Sequence, residues 1–420
     1  MLSRLWYELF RTIIVGPALS VFYSKRVLRG YDQLPQDKPI LFVPNHQNSF
    51  MDALHVVTNC RKVIHFLTRA EAFKPDLMKK FLRSLKMLPV YRVRDGFSSI
   101  QKNEVIFEYC IKRLRKNEAV LIFAEANHDL KRRVRPFSKG FTRIAFGAAK
   151  RNDWAMDLQV VPVGINYDRH RKAGTKVMVQ FGKAIPVRQY RDLFEEDENA
   201  AVQKLKEDTR KGLKKTVMHV EPLEEYPLYH ILLDEMEDDR NKLIDPDIVN
   251  AKVKKISEQA EKDWIIRAKK LLILSKEARY ELKDLYHPVQ PKWFDLIFSP
   301  VYTFSLLNNA LPYQPLRKLI YDMVKDHAFD ASIKFVAALV LFPLFYLIIF
   351  SVLMLTGVGW KIGFIYLVLS LITLPVFIRA KDLTKRPPLK VIQKEQPATY
   401  QKITEELNFF SSLRTKIFSE

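Results

Sequence analysis

The distribution of apolar and polar positions divides the chain unevenly. Residues 335–360, "FVAALVLFPLFYLIIFSVLMLTGVGW", contain no charged side chain. A helix needs about 20 apolar residues to cross the hydrocarbon core of a bilayer. After Lys361 comes a second, shorter apolar run, "IGFIYLVLSLITLPVFI", residues 362–378. "TGVGW" between the runs reads as a tight turn. The pattern predicts a transmembrane helical hairpin within residues 331–380. A buried helical pair of a soluble protein is the alternative, disfavoured by length and lack of charge.

The first 28 residues have a different pattern. They are apolar nearly all round, but Arg4, Glu8 and Arg11 interrupt the first half, and the uncharged run 12–24 is short for a span. Trp6 and Tyr7 lie towards one end and Phe22 and Tyr23 towards the other, as membrane interfaces favour. We read residues 1–28 as a retained interfacial or re-entrant helix. A cleaved signal peptide fits less well, because neither the basic head nor the small-residue cleavage site is clean.

Between these ends, residues 29–216 alternate in period. "PILFVPN", "VIHFLT", "AVLIFAE", "LQVVPVGINY" and "KVMVQFG" are apolar runs of strand length. "NEVIFEYCIKRLRKNE" and "SKGFTRIAFGAAKRN" repeat at helical spacing. This predicts an α/β domain with a mixed sheet flanked by helices. From residue 199 to about 286 the chain is rich in Lys and Glu, which predicts a solvated helical arm with i,i+4 pairs. Residues 217–330 read as a helical, aromatic-rich connection. Its last part, "PKWFDLIFSPVYTFSLLNNALPYQPLRKLIYDMV", is interrupted by proline and would either pack on the hairpin or lie at the interface. Residues 381–420 read as a basic tail.

Charge narrows the partners. Lys+Arg 69 against Asp+Glu 47 leaves +22, which calls for an anionic partner: nucleic acid, anionic lipid or a phosphorylated substrate. The apolar segments favour membrane lipid, and no nucleic-acid motif accompanies the charge. Lys325 and Lys334 precede the hairpin; Arg379, Lys381, Lys385, Arg386 and Lys390 follow it, while its turn offers only Lys361. By the positive-inside rule both ends, and the long hydrophilic part with them, lie in the cytoplasm. Two cysteines, Cys60 and Cys110, make no disulfide framework, and no Cys/His spacing suggests a metal site.

Four stretches carry residue types that a core would not select. "VPNHQNSFMDAL", residues 43–54, ends an apolar strand with Asn45 and His46 and brings Asp52 soon after. Histidine is the usual general base near neutral pH. A carboxylate on one ring nitrogen fixes the tautomer and leaves the other free to take a proton. Asp52 reaches back if residues 47–51 turn into a helix, and strand ends are where open α/β sheets place their chemistry. "LPVYRVRDG", residues 88–96, presents Arg92 and Arg94, either a fork for phosphate or surface arginines on an edge strand. "LIFAEANHDLKRRVRPFSKG", residues 121–140, ends a strand on Glu125. It continues through Asn127, Lys131, Arg132, Arg133 and Arg135 to Lys139 and Gly140. A carboxylate there either positions a polar head group or holds a cation-lined loop. "VVPVGINY", residues 160–167, is a strand broken by Pro162.

In this order and spacing the four blocks resemble the glycerolipid acyltransferase family, over about residues 29–181. The resemblance implies transfer of a fatty acyl group from a thioester to a glycerol hydroxyl. It makes His46 the base, Asp52 its partner and Arg92 the contact to substrate phosphate. Glu125 and the pair Lys139 and Gly140 match the family's third block; with Asn45 and Asn127 they are expected at the substrate, and Lys139 with Arg132 or Arg133 is expected to help Arg92 hold the phosphate. Pro162 matches the fourth block. Two departures stand out. Five residues separate His46 from Asp52 where most of the family has four; that spacer resembles the fungal-type glycerol-3-phosphate acyltransferases. Ala124 and Ala126 replace the Pro and Gly of the third block, and losing glycine alters the backbone freedom of that turn.

No serine or cysteine nucleophile signature is present, so direct transfer without an acyl-enzyme is expected. The expected co-substrate is acyl-CoA or acyl-acyl carrier protein, with no cofactor and no metal. The expected acceptor is glycerol-3-phosphate or its 1-acyl form, and the expected setting is a membrane with the catalytic domain on the cytoplasmic side. The alternatives are an acyltransferase for another lipid amine or alcohol, and a non-catalytic membrane lipid-binding protein on the same fold.

Overall fold

A computed structural model of the protein describes residues 2–91, 97–125, 127–221, 223–323, 326–385 and 387–418. The chain forms two compact units. The first comprises Met1–Ser20, Lys25–His170 and Val177–His219; the second comprises Val21–Ser24, Arg171–Lys176 and Val220–Glu420.

Among the described residues, the first unit is built on an eight-stranded sheet, β1 (Tyr23–Arg29) to β8 (Ile185–Pro186). The strands run in the order β1-β7-β6-β2-β5-β3-β4, with β8 also on β6. β2 (Ile40–Pro44) and β6 (Gln159–Tyr167) are buried at every position, as strands covered on both faces must be. β2 runs parallel to β5 (Ala119–Leu121) and β6, and β3 (Ile64–Arg69) runs parallel to β5 and β4 (Met87–Val90). β7 (Thr175–Phe181) and β8 are antiparallel to β6. The mixed α/β sheet is the expected one, with each of the five predicted strands in place.

Around it lie α1 (Leu2–Leu9), α2 (Gly16–Phe22), α3 (Phe50–Thr58), α4 (Asp76–Ser84), α5 (Phe97–Leu114), α6 (Gly140–Lys150), α7 (Arg191–Glu196) and α8 (Glu198–Lys214). Leu41, Val43 and Val120 of the sheet share one core with Ile111, Ile144 and Leu205 of α5, α6 and α8. α8 corrects the solvated-arm reading. Ala201, Leu205, Thr209 and Leu213 form a buried stripe at i,i+4 spacing, while Lys204–Asp208 and Lys211–Glu207 pair along the helix. The abundant charge is a solvated face, and the other face is core.

α1 and α2 are joined by a π-helical turn, Phe10–Val15. Tyr7, Val15 and Leu19 are buried. The Tyr7 hydroxyl accepts from the Ile64 amide at 3.2 Å, and the Arg11 guanidinium donates to the carbonyls of Val57 and Cys60. The helical segment ends at Phe22, so the predicted boundary at residue 28 falls inside β1. "YSKRVLR" is too polar to read as a strand, yet lysine and arginine are what an edge strand carries.

The second unit is helical. α9 (Tyr226–Tyr229), α10 (Pro246–Gln259), α11 (Lys262–Glu277) and α12 (Leu282–Tyr286) are followed by α13 (Trp293–Ile297) and α14 (Ser299–Met323). Then come α15 (Asp330–Leu355), α16 (Trp360–Thr373), α17 (Phe377–Leu383), α18 (Pro388–Glu395) and α19 (Pro397–Phe418). α15 and α16 pack together, joined by a turn in which Gly357 and Gly359 take φ of 76° and 95°. Among the described residues, three helical segments are long and apolar enough to cross a membrane: Ser3–Phe22, His327–Leu355 and Trp360–Glu395. α14 packs on the hairpin through polar groups. Asn308 donates to Ser370 Oγ at 3.0 Å and accepts from Tyr366, and Ser305 donates to the Thr373 carbonyl at 2.8 Å. Such bonds hold helices together where the surroundings are apolar. The basic-tail reading of residues 381–420 also needs correction. α19 buries Ile403, Leu407, Phe410 and Leu413 and packs on α10 and α11, where its buried Glu406 binds Arg267 and Lys270 at 2.9 and 2.8 Å.

Gly164 in β6 leaves no room for a side chain: a Cβ there would meet the Thr216 carbonyl oxygen at 1.9 Å. Gly164→Ala should therefore cost about 3 kcal/mol, at the upper end of overpacking. Thermal denaturation of the purified protein would show it as a fall in Tm of roughly 5–10 °C.

Candidate active site

The parallel strands bring the four sequence blocks to one end of the sheet. β2 carries its buried apolar run to Pro44 and stops. Asn45 then extends the β2–β6 contact beyond the ladder. Its amide donates to the Ile165 carbonyl at 3.1 Å and accepts from the Ile165 amide at 2.7 Å. The sequence reading places Asn45 at the substrate; with both side-chain polar atoms committed to β6, it is instead the pin that fixes where His46 begins.

After His46 the chain turns sharply. Ser49, the residue before α3, has φ 47° and ψ −125°. Few non-glycine residues sit at positive φ, and such strain concentrates at functional sites. The turn folds the five-residue spacer back on the first turn of α3, where Asp52 is fully buried. Asp52 Oδ2 accepts from the amides of Gln47 at 2.9 Å and Asn48 at 2.8 Å, and lies 3.0 Å from His46 Nδ1. Asp52 Oδ1 accepts from the Tyr167 hydroxyl at 2.7 Å. An ionised carboxylate only accepts, so Nδ1 carries the proton. Nε2 makes no hydrogen bond among the described residues and is left as the basic nitrogen.

The imidazole is held by packing as well. It stacks on Phe123 with ring centroids 3.9 Å apart, and the edge of His128 lies 5.7 Å away. Burial lowers the His46 pKa below its ordinary value, and Asp52 opposes that shift. The ring is therefore neutral at pH 7, the state a base requires.

Glu125 takes the loop-holding role of the two read from sequence. Its Oε2 accepts from the His46 amide at 3.1 Å and from Arg135 Nη2 at 3.0 Å; its Oε1 accepts from the Arg135 amide at 2.9 Å. The His46 carbonyl accepts from the Asp129 amide at 3.1 Å and from Arg135 Nη2 at 3.2 Å. Both backbone polar groups of His46 are thus fastened to the third block. Burial pushes the Glu125 carboxyl up, and the Arg135 guanidinium pulls it back.

The other predicted residues divide. Arg132 is buried and donates to the carbonyls of Tyr167 at 2.6 Å and Asp168 at 3.1 Å, which corrects its reading as a phosphate contact. Arg133 lies 3.8 Å from Asp129. Asn127 is exposed, with its amide on the Glu125 carbonyl at 2.7 Å. Lys139 is exposed and Gly140 opens α6. Pro162 lies in β6 opposite Val43, and Ala124 is buried. Arg92, Arg94 and Ala126 lie outside the described residues. The residue before Arg92 is well anchored: the Asn103 amide bridges the backbone N–H and carbonyl of Tyr91 at 2.9 and 2.8 Å.

Sequence reasoning misses Tyr167 and assigns no role to Arg135. Tyr167 closes the fourth block, 115 positions from its partner Asp52, and only the β2–β6 register brings the two together. Its one sequence signal is a phenol at the end of a strand that is mostly apolar. Gln47 is a third omission; its side chain meets His170 Nε2 at 2.9 Å and donates to the Lys131 carbonyl at 3.3 Å.

Comparison with known proteins agrees with the block reading. Residues 25–166 match the family model described as Acyltransferase. Among solved structures, the chain is similar to the 1-acyl-sn-glycerophosphate acyltransferase PlsC of Thermotoga maritima. The identity is 20%, the match covers 47% of this chain and 76% of that one, and the TM-score is 0.34. The search of curated proteins gives no match.

The environment of His46 makes a direct prediction. In protein labelled with 13C at histidine Cε1, the His46 resonance should titrate below pH 6.5. Asp52→Asn should move the midpoint lower still, because it removes the group that favours the imidazolium. A midpoint above 6.5 in the parent protein would contradict the burial argument.

Proposed function

We propose that the protein is a membrane-bound O-acyltransferase that moves a fatty acyl group from a thioester to glycerol-3-phosphate or 1-acyl-glycerol-3-phosphate. The observation that carries this reading is the His46–Asp52 contact at 3.0 Å, inside a domain that matches the acyltransferase family. The acceptor hydroxyl binds against Nε2 of His46. As its oxygen attacks the thioester carbonyl, Nε2 takes the proton, and Asp52 stabilises the imidazolium through Nδ1. The tetrahedral intermediate collapses, the carbon–sulfur bond breaks, and the imidazolium returns the proton to the leaving thiolate. The products are an ester and a free thiol, and His46 is neutral again. Acyl-CoA or acyl-acyl carrier protein supplies the thioester.

Arg92 binds the acceptor phosphate in this reading, with Lys139 contributing charge. A planar guanidinium meets a phosphate through two parallel hydrogen bonds, which an ammonium does not reproduce. The hairpin crosses the bilayer and returns, with the acyltransferase domain and α19 on the cytoplasmic side. The basic flanks and sparse charge at the turn support that orientation. The first apolar segment does not cross, because one of its faces is fastened along the domain by Tyr7, Val15 and Leu19.

The test is an acyl-transfer assay of the purified protein against a panel of donors and acceptors. His46→Ala should lower turnover by roughly four powers of ten while membrane insertion is retained. Near-normal turnover of that variant would refute the assignment. Arg92→Lys should raise KM for the phosphorylated acceptor by about tenfold, as expected for a bidentate contact worth 1–2 kcal/mol, and leave the donor KM little changed. A defect confined to the donor would move Arg92 to the thioester side.

A further inference from the structure

Tyr167, the last residue of β6, is fully buried, and its hydroxyl donates to Asp52 Oδ1 at 2.7 Å. The two oxygens of Asp52 are used unequally. Oδ2 accepts from the Gln47 and Asn48 amides and faces His46 Nδ1. Oδ1 meets, among the described residues, the phenol alone. The tyrosine is held from several directions. Its carbonyl accepts from Arg132 Nη1 at 2.6 Å, its backbone pairs with Val177 of β7, and its ring meets those of His55 in α3 at 5.6 Å and of His170 at 5.2 Å. Phenylalanine would fill the position with no polar group to bury, so the hydroxyl calls for a reason beyond packing.

Satisfying a buried carboxylate is one reason. The chemistry of the pair supplies another. The charge of a carboxylate is shared between its oxygens, so a donor on one draws charge from the other. A phenol is a more acidic donor than an aliphatic hydroxyl or an amide, and hydrogen bonds in series polarise one another where the dielectric is low. What binds Oδ1 therefore governs how strongly Oδ2 pulls on the Nδ1 proton. That pull has an optimum. Too weak, it does not stabilise the imidazolium; too strong, it protonates the ring before reaction, and a base has to start neutral. The other charged or titratable groups that act on His46 are His128 and Arg135, and both disfavour the imidazolium, as burial does. Around Tyr167 the corresponding groups are His55, acted on by Arg26, His170, whose Nε2 meets Gln47 Oε1 at 2.9 Å, Arg132, and the buried Asp168 that follows in the chain.

Resting on the reading of His46 as the base, we propose that Tyr167 is a positioning residue for the reaction: its phenol fixes Asp52 Oδ1, takes up part of the carboxylate's charge and so sets the strength with which Asp52 holds the Nδ1 proton of His46. It touches neither substrate nor the reacting atoms and acts only through Asp52. The sign of its effect follows. Without the phenol, the charge of Asp52 concentrates on Oδ2 and favours the imidazolium, so the base is protonated at a higher pH. A stronger donor at the same place does the opposite.

Two full-length proteins test this. Tyr167→Phe keeps the ring and removes the donor; 3-fluorotyrosine in place of Tyr167 keeps the ring and strengthens the donor. Each is labelled with 13C at histidine Cε1, and the His46 signal is assigned by its loss in His46→Gln. The His46 midpoint should rise by about half to one pH unit in Tyr167→Phe, a fraction of what a hydrogen bond to a charged group is worth, and should fall in the fluorinated protein. A purely structural role for the hydroxyl does not produce shifts of opposite sign. An unchanged midpoint in both proteins would overturn the proposal, as would a fall in Tyr167→Phe, which would mean that Asp52 had lost its hold on the ring. Where thermal denaturation shows Tyr167→Phe to be unfolded, the fluorinated protein alone decides. Turnover is not part of this readout. The two shifts without acyl transfer would support the role of Tyr167 and count against the proposed reaction; acyl transfer without the shifts would overturn the role of Tyr167 and leave the reaction standing.

Discussion

The arrangement of the site depends on one buried carboxylate. Asp52 is fully buried, and an ionised group out of water costs several kcal/mol unless it is fully hydrogen-bonded. Four donors meet that demand: two backbone amides of the spacer, the His46 ring and the Tyr167 hydroxyl. They come from β2's end, the turn, and β6. Satisfying Asp52 therefore fixes the turn after His46, the register of β6 against β2 and the tautomer of the ring together. The positive φ of Ser49 is the local strain this arrangement tolerates.

A second carboxylate completes the frame by a different route. Glu125 acts on the backbone of His46 while Asp52 acts on its ring, and Arg135 ties Glu125 to both. The two carboxylates thus restrain opposite ends of one residue. Burial lowers the pKa of the imidazole, and in the proposed reaction Asp52 stabilises the charge that develops when Nε2 takes a proton. This division of work suits a base that must be neutral before reaction and cationic during it.

Much of this was readable from residues alone, for identifiable reasons. β2, β3, β5, β6 and β7 announce themselves because strands buried on both faces are continuous apolar runs. His46 and Asp52 stand out because a core does not select them. What failed to show depended on partners distant in sequence or on composition masking a pattern. β1 is polar because it is an edge. α8 has a buried stripe beneath heavy charge, and α19 looks like a basic tail until α10 and α11 are placed against it. Asn45 and Arg132 look like ligand contacts by residue type, and only the carbonyls of Ile165, Tyr167 and Asp168 show that each is committed to the frame. Tyr167 was invisible for the same reason, since its meaning lies in a carboxylate in the first turn of α3.

The central claim is that His46, oriented by Asp52, lets an acceptor hydroxyl attack a thioester directly. Single-turnover mixing of vesicle-reconstituted protein with an acyl thioester tests it, with and without glycerol-3-phosphate or its 1-acyl form, following free thiol, ester product and the intact mass of the chain over time. The account predicts thiol release only when acceptor is present, an equal amount of ester, and no acyl mass on the protein at any time. Thiol release without acceptor together with an acylated chain would contradict it, as would thioester and acceptor that bind without forming ester.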